Sequence, residues 1–115
     1  MVKAEIVNKP WGKEELLVLT KNYAMKKIHI RAGHRLSLQY HENKEETIHV
    51  LSGILLNWHS ESEDDYTILN AGDTFHCPPN TIHRFGADLT QDVILIECST
   101  TQLDDVIRLA DDYNR

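Results

Sequence analysis

His41 and Glu46 stand on either side of a four-residue polar turn, Glu42-Asn43-Lys44-Glu45. An imidazole and a carboxylate are both competent ligands for a divalent metal. The flanks of the turn alternate in character, as strands with two unlike faces do. Folded into a hairpin, they make His41 and Glu46 a cross-strand pair with Cβ atoms about 4.5–5.5 Å apart. Counting back in twos from His41 puts Gln39, Ser37 and Arg35 on the same face, with Leu36, Leu38 and Tyr40 on the other. A second stretch, Gly72 to His83, reads as a Gly-Asp turn, a strand, the turn Pro78-Pro79-Asn80 and a returning strand. Alternation there puts His83 and Phe85 on one face and Arg84 on the other. If both hairpins feed one interior, a metal can take Gln39 Oε1, His41, Glu46 and His83. That donor set suits a single borderline divalent ion such as Zn, Mn, Fe, Co or Ni. Water or substrate oxygens would complete the shell, as at an open, catalytic site. Gln39 reads first as a ligand and second as a group that holds His41 in place.

The elements that must position these residues are short strands. Glu15–Thr20, Tyr23–Arg31, the two arms of the central hairpin, Ile54–Ser60, Tyr66–Leu69, Thr74–Cys77, Ile82–Phe85 and Val93–Cys98 are separated by turn signals every 8–12 residues. That spacing is the pattern of an antiparallel sandwich or barrel. Val93–Cys98 is almost wholly apolar, as a strand covered on both faces would be. Leu103, Val106, Ile107 and Ala110 fall at i, i+3, i+4 and i+7, which predicts a short C-terminal α-helix capped by Thr101. The organisation expected is one domain over 1–115: a lead-in 1–13, a barrel 14–98, and a helix and tail 101–115.

At 115 residues the chain suits a single domain. No apolar run approaches the roughly 20 residues of a membrane span, and no signal-peptide core opens the sequence, so a cytoplasmic location is expected. The net charge of −6 with no basic cluster argues against nucleic acid or an anionic membrane as partner. Cys77 and Cys98 lack metal or redox spacing and read as reduced, buried thiols.

The two stretches together resemble the paired motifs of the cupin superfamily. Gly33, His41, Glu46 and Gly53 match the first, and Gly72, Pro78 and His83 the second. Gln39 stands where the first motif has its earlier His, and Asn80 and Ala87 stand where the second has Gly and Asn. The run Leu36-Ser37-Leu38-Gln39-x-His41 is similar to the cupin domain of the mannose-6-phosphate isomerases, especially the form fused to GDP-mannose pyrophosphorylase. Lys9-Pro10-Trp11-Gly12, His83-Arg84-Phe85 and the ending from Val106 to Arg115 resemble it too, with Asn114 in place of the usual Gly. The resemblance covers nearly the whole chain. It implies an all-β, single-domain cupin, a double-stranded β-helix or jelly-roll barrel, with metal at Gln39, His41, Glu46 and His83.

It also implies a metal-dependent aldose–ketose isomerase acting on a phosphosugar, with mannose 6-phosphate first. A metal would stabilise the charge developing on the substrate oxygens. The phosphate calls for a cation. Arg35 on the metal face is the first candidate, Arg84 the second, although Arg35 reads equally as a surface charge. His29, His34 and Glu45 are candidates for the proton-transfer base, and the sequence does not choose among them. Two further readings stand beside this one. An Fe(II) dioxygenase would also use His41, Glu46 and His83, and a non-catalytic module would bind a sugar or sugar nucleotide. Open sheet edges make a homodimer the expected assembly.

Overall fold

The computed structural model describes residues 5–113. The first four residues of the lead-in, and the Asn114 and Arg115 of the resembling tail, lie outside them. Eleven strands and no helix occur among the described residues. They are β1 (Glu5–Lys9), β2 (Gly12–Leu19), β3 (Ala24–Ile30), β4 (Leu38–Tyr40), β5 (Glu46–Ser52), β6 (Ile54–Trp58), β7 (Tyr66–Asn70), β8 (Thr74–Cys77), β9 (Arg84–Ala87), β10 (Val93–Ser99) and β11 (Ile107–Ala110). All pair antiparallel. One sheet has the order β1-β2-β3-β10-β5-β8, a second β7-β6-β9, and β11 pairs with β4. Backbone bonds between Gln39 and His83, and from Leu36 N–H to Phe85 O, join β4 to the β9 side. The all-β barrel expected of a cupin is therefore present.

The sequence alternates so that each layer supplies an apolar inner face. Ile28 and Ile30 of β3, Ile48 and Val50 of β5, and Val93 and Leu95 of β10 share one core with Leu55, Leu69, Phe85 and Ala87 of the other layer. β10 is not covered on both faces, because Ile94 and Ile96 remain partly open to solvent. Cys77 is buried as expected, but Cys98, on the outer side of β10, is exposed, and both thiols are free.

The expected central hairpin is instead a crossover. β4 lies in one layer and β5 in the other, so residues 42–45, of which only Lys44 is buried, carry the chain from one layer to the other. The same holds for β8 and β9, whose connection passes through Asn80 in a left-handed conformation (φ 65°). Asn tolerates that region better than most non-glycine residues. Its N–H donates to His41 O, which ties the second motif to the end of β4.

The C-terminal helix does not form. Residues 101–105 make successive turns, and Ile107–Ala110 runs as β11 with Ile107 opposite Tyr40 and Arg108 opposite Gln39. A single short amphipathic helix is marginal unless packing rewards it. Here β4 offers an open row of backbone donors and acceptors, and the β-branched pair Val106-Ile107 suits an extended chain.

Candidate metal centre

His41, at the end of β4, and Glu46, at the start of β5, face each other across the interior rather than along a ladder. His83, just before β9, is brought beside them by its backbone pairing with Gln39. All three are buried. Glu46 Oε1 lies 3.5 Å from His41 Nε2 and 3.1 Å from His83 Nε2. The other imidazole nitrogens are committed. His41 Nδ1 lies 2.5 Å from Asp105 O, and His83 Nδ1 lies 3.0 Å from Thr81 O. A neutral imidazole that donates Nδ1–H to a carbonyl presents a lone pair at Nε2. Two such lone pairs and a carboxylate oxygen thus converge on one buried point, and none of these three atoms has a hydrogen-bond partner. Three acceptors without a donor are costly to bury, and a cation satisfies all of them at once. Their donor atoms fall within 4.8 Å of one another. The residues fit a divalent ion of the kind the sequence suggested.

Gln39 lies on the same wall, directly across the strand pair from His83. Its Oε1 accepts the Ser37 hydroxyl at 2.7 Å. Lys44, also buried, places its ammonium 3.2 Å from Glu46 Oε2 and 3.5 Å from Glu97 Oε2. Burial opposes the charge on Lys44, but Glu97 and Glu46 outweigh it and raise its pKa above the usual lysine value. Burial, and then the Glu46 charge, push the Glu97 carboxyl up to about 8. Cys77 Sγ sits 3.4 Å from His83 Nδ1, and burial holds its thiol protonated, with a pKa pushed up to about 12.

These groups line a cavity of about 120 Å³. At roughly 30 Å³ per water in the liquid, that volume holds about four waters. Trp11, Leu36, Phe85, Leu103 and Val106 form its apolar wall, and Lys9, Lys26, Arg108, Glu14 and Glu97 add charge. Lys26 is paired with Glu14 at 3.3 Å. The Arg108 guanidinium makes no ion pair among the described residues. Sequence reasoning missed Arg108, because the helical reading of its segment concealed that it stands opposite Gln39 on a strand.

Arg35 does not share the metal face. The chain places Arg35 opposite Gly86 but Gln39 opposite His83, so four steps on one strand match three on the other. The extra residue is a bulge, and it reverses the alternation that was counted back from His41. Leu36 and Gln39 both line the cavity, while Arg35 points outward into a separate groove of about 950 Å³. There it stacks on Trp58, 5.0 Å from the ring centroid, and binds Glu63 and Asp112. Arg84 points away from the cavity, as alternation requires. Its Nε donates to Leu36 O at 2.9 Å, and its terminal nitrogen reaches Asp112 at 3.3 Å. The three residues considered for proton transfer are also elsewhere. His29 pairs with Asp92, His34 with Ala32 O and Glu45 with His76, and none lines the cavity.

A two-layer antiparallel barrel with two His and one Glu gathered inside it defines a cupin. Solved structures carry the same fold. An RmlC-like cupin from Shewanella frigidimarina superposes with a TM-score of 0.71 at 22% identity, covering 90% of this chain and 88% of that one. KdgF from Halomonas sp. gives 0.73 at 22% identity, covering 88% and 91%. The chain belongs to the family described as Mannose-6-phosphate isomerase C-terminal, whose profile matches residues 2–111. A curated relative, mannose-1-phosphate guanylyltransferase RfbM of Salmonella typhimurium, is 36% identical over 106 residues. The match takes in 90% of this chain but only 22% of that protein's length.

Proposed function

We propose that the chain is a metal-dependent aldose–ketose isomerase for a sugar phosphate, with mannose 6-phosphate the first substrate to test. The observation that carries this reading is the convergence of His41 Nε2, His83 Nε2 and Glu46 Oε1 at the wall of a cavity whose arginine, Arg108, makes no ion pair among the described residues. The family description and the mannose phosphate in the relative's name support the substrate class.

His41, Glu46 and His83 would hold the ion, with Gln39 beside them. Once bound, the ion supplies Lewis acidity to the substrate's carbonyl and hydroxyl oxygens. The apolar wall of Trp11, Leu36 and Phe85 would flank the carbons of the bound substrate. Because Arg35 and Arg84 face away, the phosphate is assigned to Arg108, whose guanidinium matches it bidentately. Glu14 and Glu97 are the cavity carboxylates outside the donor set, and the proton-transfer base is to be sought between them.

The test is a coupled assay for conversion of mannose 6-phosphate to fructose 6-phosphate. Chelator-stripped protein is resupplied singly with Zn, Mn, Co, Ni or, under nitrogen, Fe(II). Metal-dependent turnover that disappears in His41→Ala supports the reading. Protein that rebinds metal and binds phosphosugar without turnover would instead be a sugar-binding module. That second reading is favoured by the name of the curated relative, which is that of a guanylyltransferase and not of an isomerase.

A further inference from the structure

The loop that separates His41 from Glu46 is not self-supporting. Its successive backbone N–H groups are held by the segment that follows β10. The Asp105 carboxylate accepts the N–H of Glu42 at 3.2 Å, Asn43 at 2.7 Å and Lys44 at 2.9 Å. Thr100 Oγ1 accepts the N–H of Glu45 at 3.0 Å. Consecutive N–H groups turned toward one anion form a nest, here filled from within the chain. The same Asp105 presents its backbone carbonyl to His41 Nδ1.

One residue thereby sets three things. Its side chain fixes the path of the loop between two proposed ligands. Its carbonyl fixes the tautomer and rotation of the first. Through the Lys44 N–H it also steadies the residue whose ammonium faces the free oxygen of Glu46. We propose that Asp105 is the positioning residue of the metal centre, so that residues 101–106 are a working part of that centre rather than a terminal appendage. This rests on the reading that His41, Glu46 and His83 bind a divalent ion. Groups that orient a ligating imidazole typically contribute roughly 10–100-fold in metal affinity.

The test uses Co²⁺ as probe, read by its visible absorption bands and by titration, with the melting temperature of the metal-free protein measured in parallel. Asp105→Ala is expected to weaken Co²⁺ binding by roughly 10–100-fold and to alter the bands. Asp105→Asn keeps one acceptor oxygen and should fall between wild type and Asp105→Ala. Asp112→Ala releases a more distal anchor of the same segment, away from the ligands. It should lower the melting temperature while leaving the Co²⁺ affinity and spectrum at wild-type values. The inference is overturned if Asp105→Ala matches wild type in affinity and spectrum, or if Asp112→Ala weakens Co²⁺ as much as Asp105→Ala does. Should Asp105→Ala fail to fold, Asp105→Asn decides: unchanged affinity and bands sink the role, and weakened binding with altered bands supports it. A wild-type protein that binds no Co²⁺ removes the metal reading itself, and this role with it.

Discussion

Glu46 shows how much one side chain can organise. One of its oxygens faces two imidazoles and the other faces Lys44, all of them buried. His41, Glu46 and His83 were legible in the sequence as a candidate metal triad because their types are chemically unusual for strand interiors, and the structure brings them within 4.8 Å of one another. Arg35 was misplaced because a bulge leaves no mark in a pattern of alternating residues. Arg108 was overlooked because its neighbours satisfy a helical period equally well. The two arginines therefore separate in experiment. Arg35→Ala loses a stacked, doubly paired guanidinium whose carboxylate partners are 67% and 41% exposed. Solvent screening limits the loss to on the order of 1 kcal/mol, read as a fall in melting temperature with the substrate KM unchanged. Arg108→Ala should leave the melting temperature nearly unchanged and raise the KM for a phosphosugar by about tenfold or more, since a charged hydrogen bond contributes roughly 1.5–3 kcal/mol. Equal KM values for the two variants would remove the phosphate assignment.

Strands here do more than frame the cavity. The chain turns His83 toward the interior just before β9 and Arg84 away from it at the strand's start, and β9 passes so close to the β4 side that only glycine fits at Gly86. A Cβ there would meet Arg35 Cβ and Trp58 Cζ3, each at 2.8 Å. Trp58 cannot easily give way, because its Nε1–H donates to Glu63 O at 3.0 Å and Arg35 covers its face. Gly86→Ala is accordingly expected to cost about 1–3 kcal/mol in chemical denaturation, the usual range for overpacking. A variant as stable as wild type would show that β9 can move freely. Nine of the eleven strands among the described residues could be read, with approximate bounds, from alternation and turn residues, whereas β1 lies inside the expected lead-in and was not foreseen. Their partners could not, because the residues at 42–45 and at 78–82 suit a hairpin and a crossover equally. β11 was hidden for a related reason: edge pairing with β4 is a tertiary reward that no local period records.

Considered as one body, the protein is acidic, with a net charge of −6. No helix long and apolar enough to cross a membrane occurs among the described residues. Its C-terminal segment is fastened at Asp112, whose carboxyl is held below the usual range by the Arg35 guanidinium. A carboxylate with a lowered folded pKa contributes stability in full above its unfolded value of about 3.9. That contribution is lost as pH falls through the lower folded value. The gap in melting temperature between wild type and Asp112→Asn should thus stay constant from pH 7 to about 5 and close below about 4. A gap independent of pH would mean that the carboxylate charge contributes nothing. The single barrel was legible because turn spacing and length together allow little else. The two tryptophans have a practical consequence. Trp11 is 1% exposed in the cavity wall, whereas Trp58 lies beneath Arg35 on the outer groove. With Trp58 exchanged for phenylalanine, the remaining indole emission comes from the cavity wall alone, so the chain carries an intrinsic optical reporter of what enters its interior.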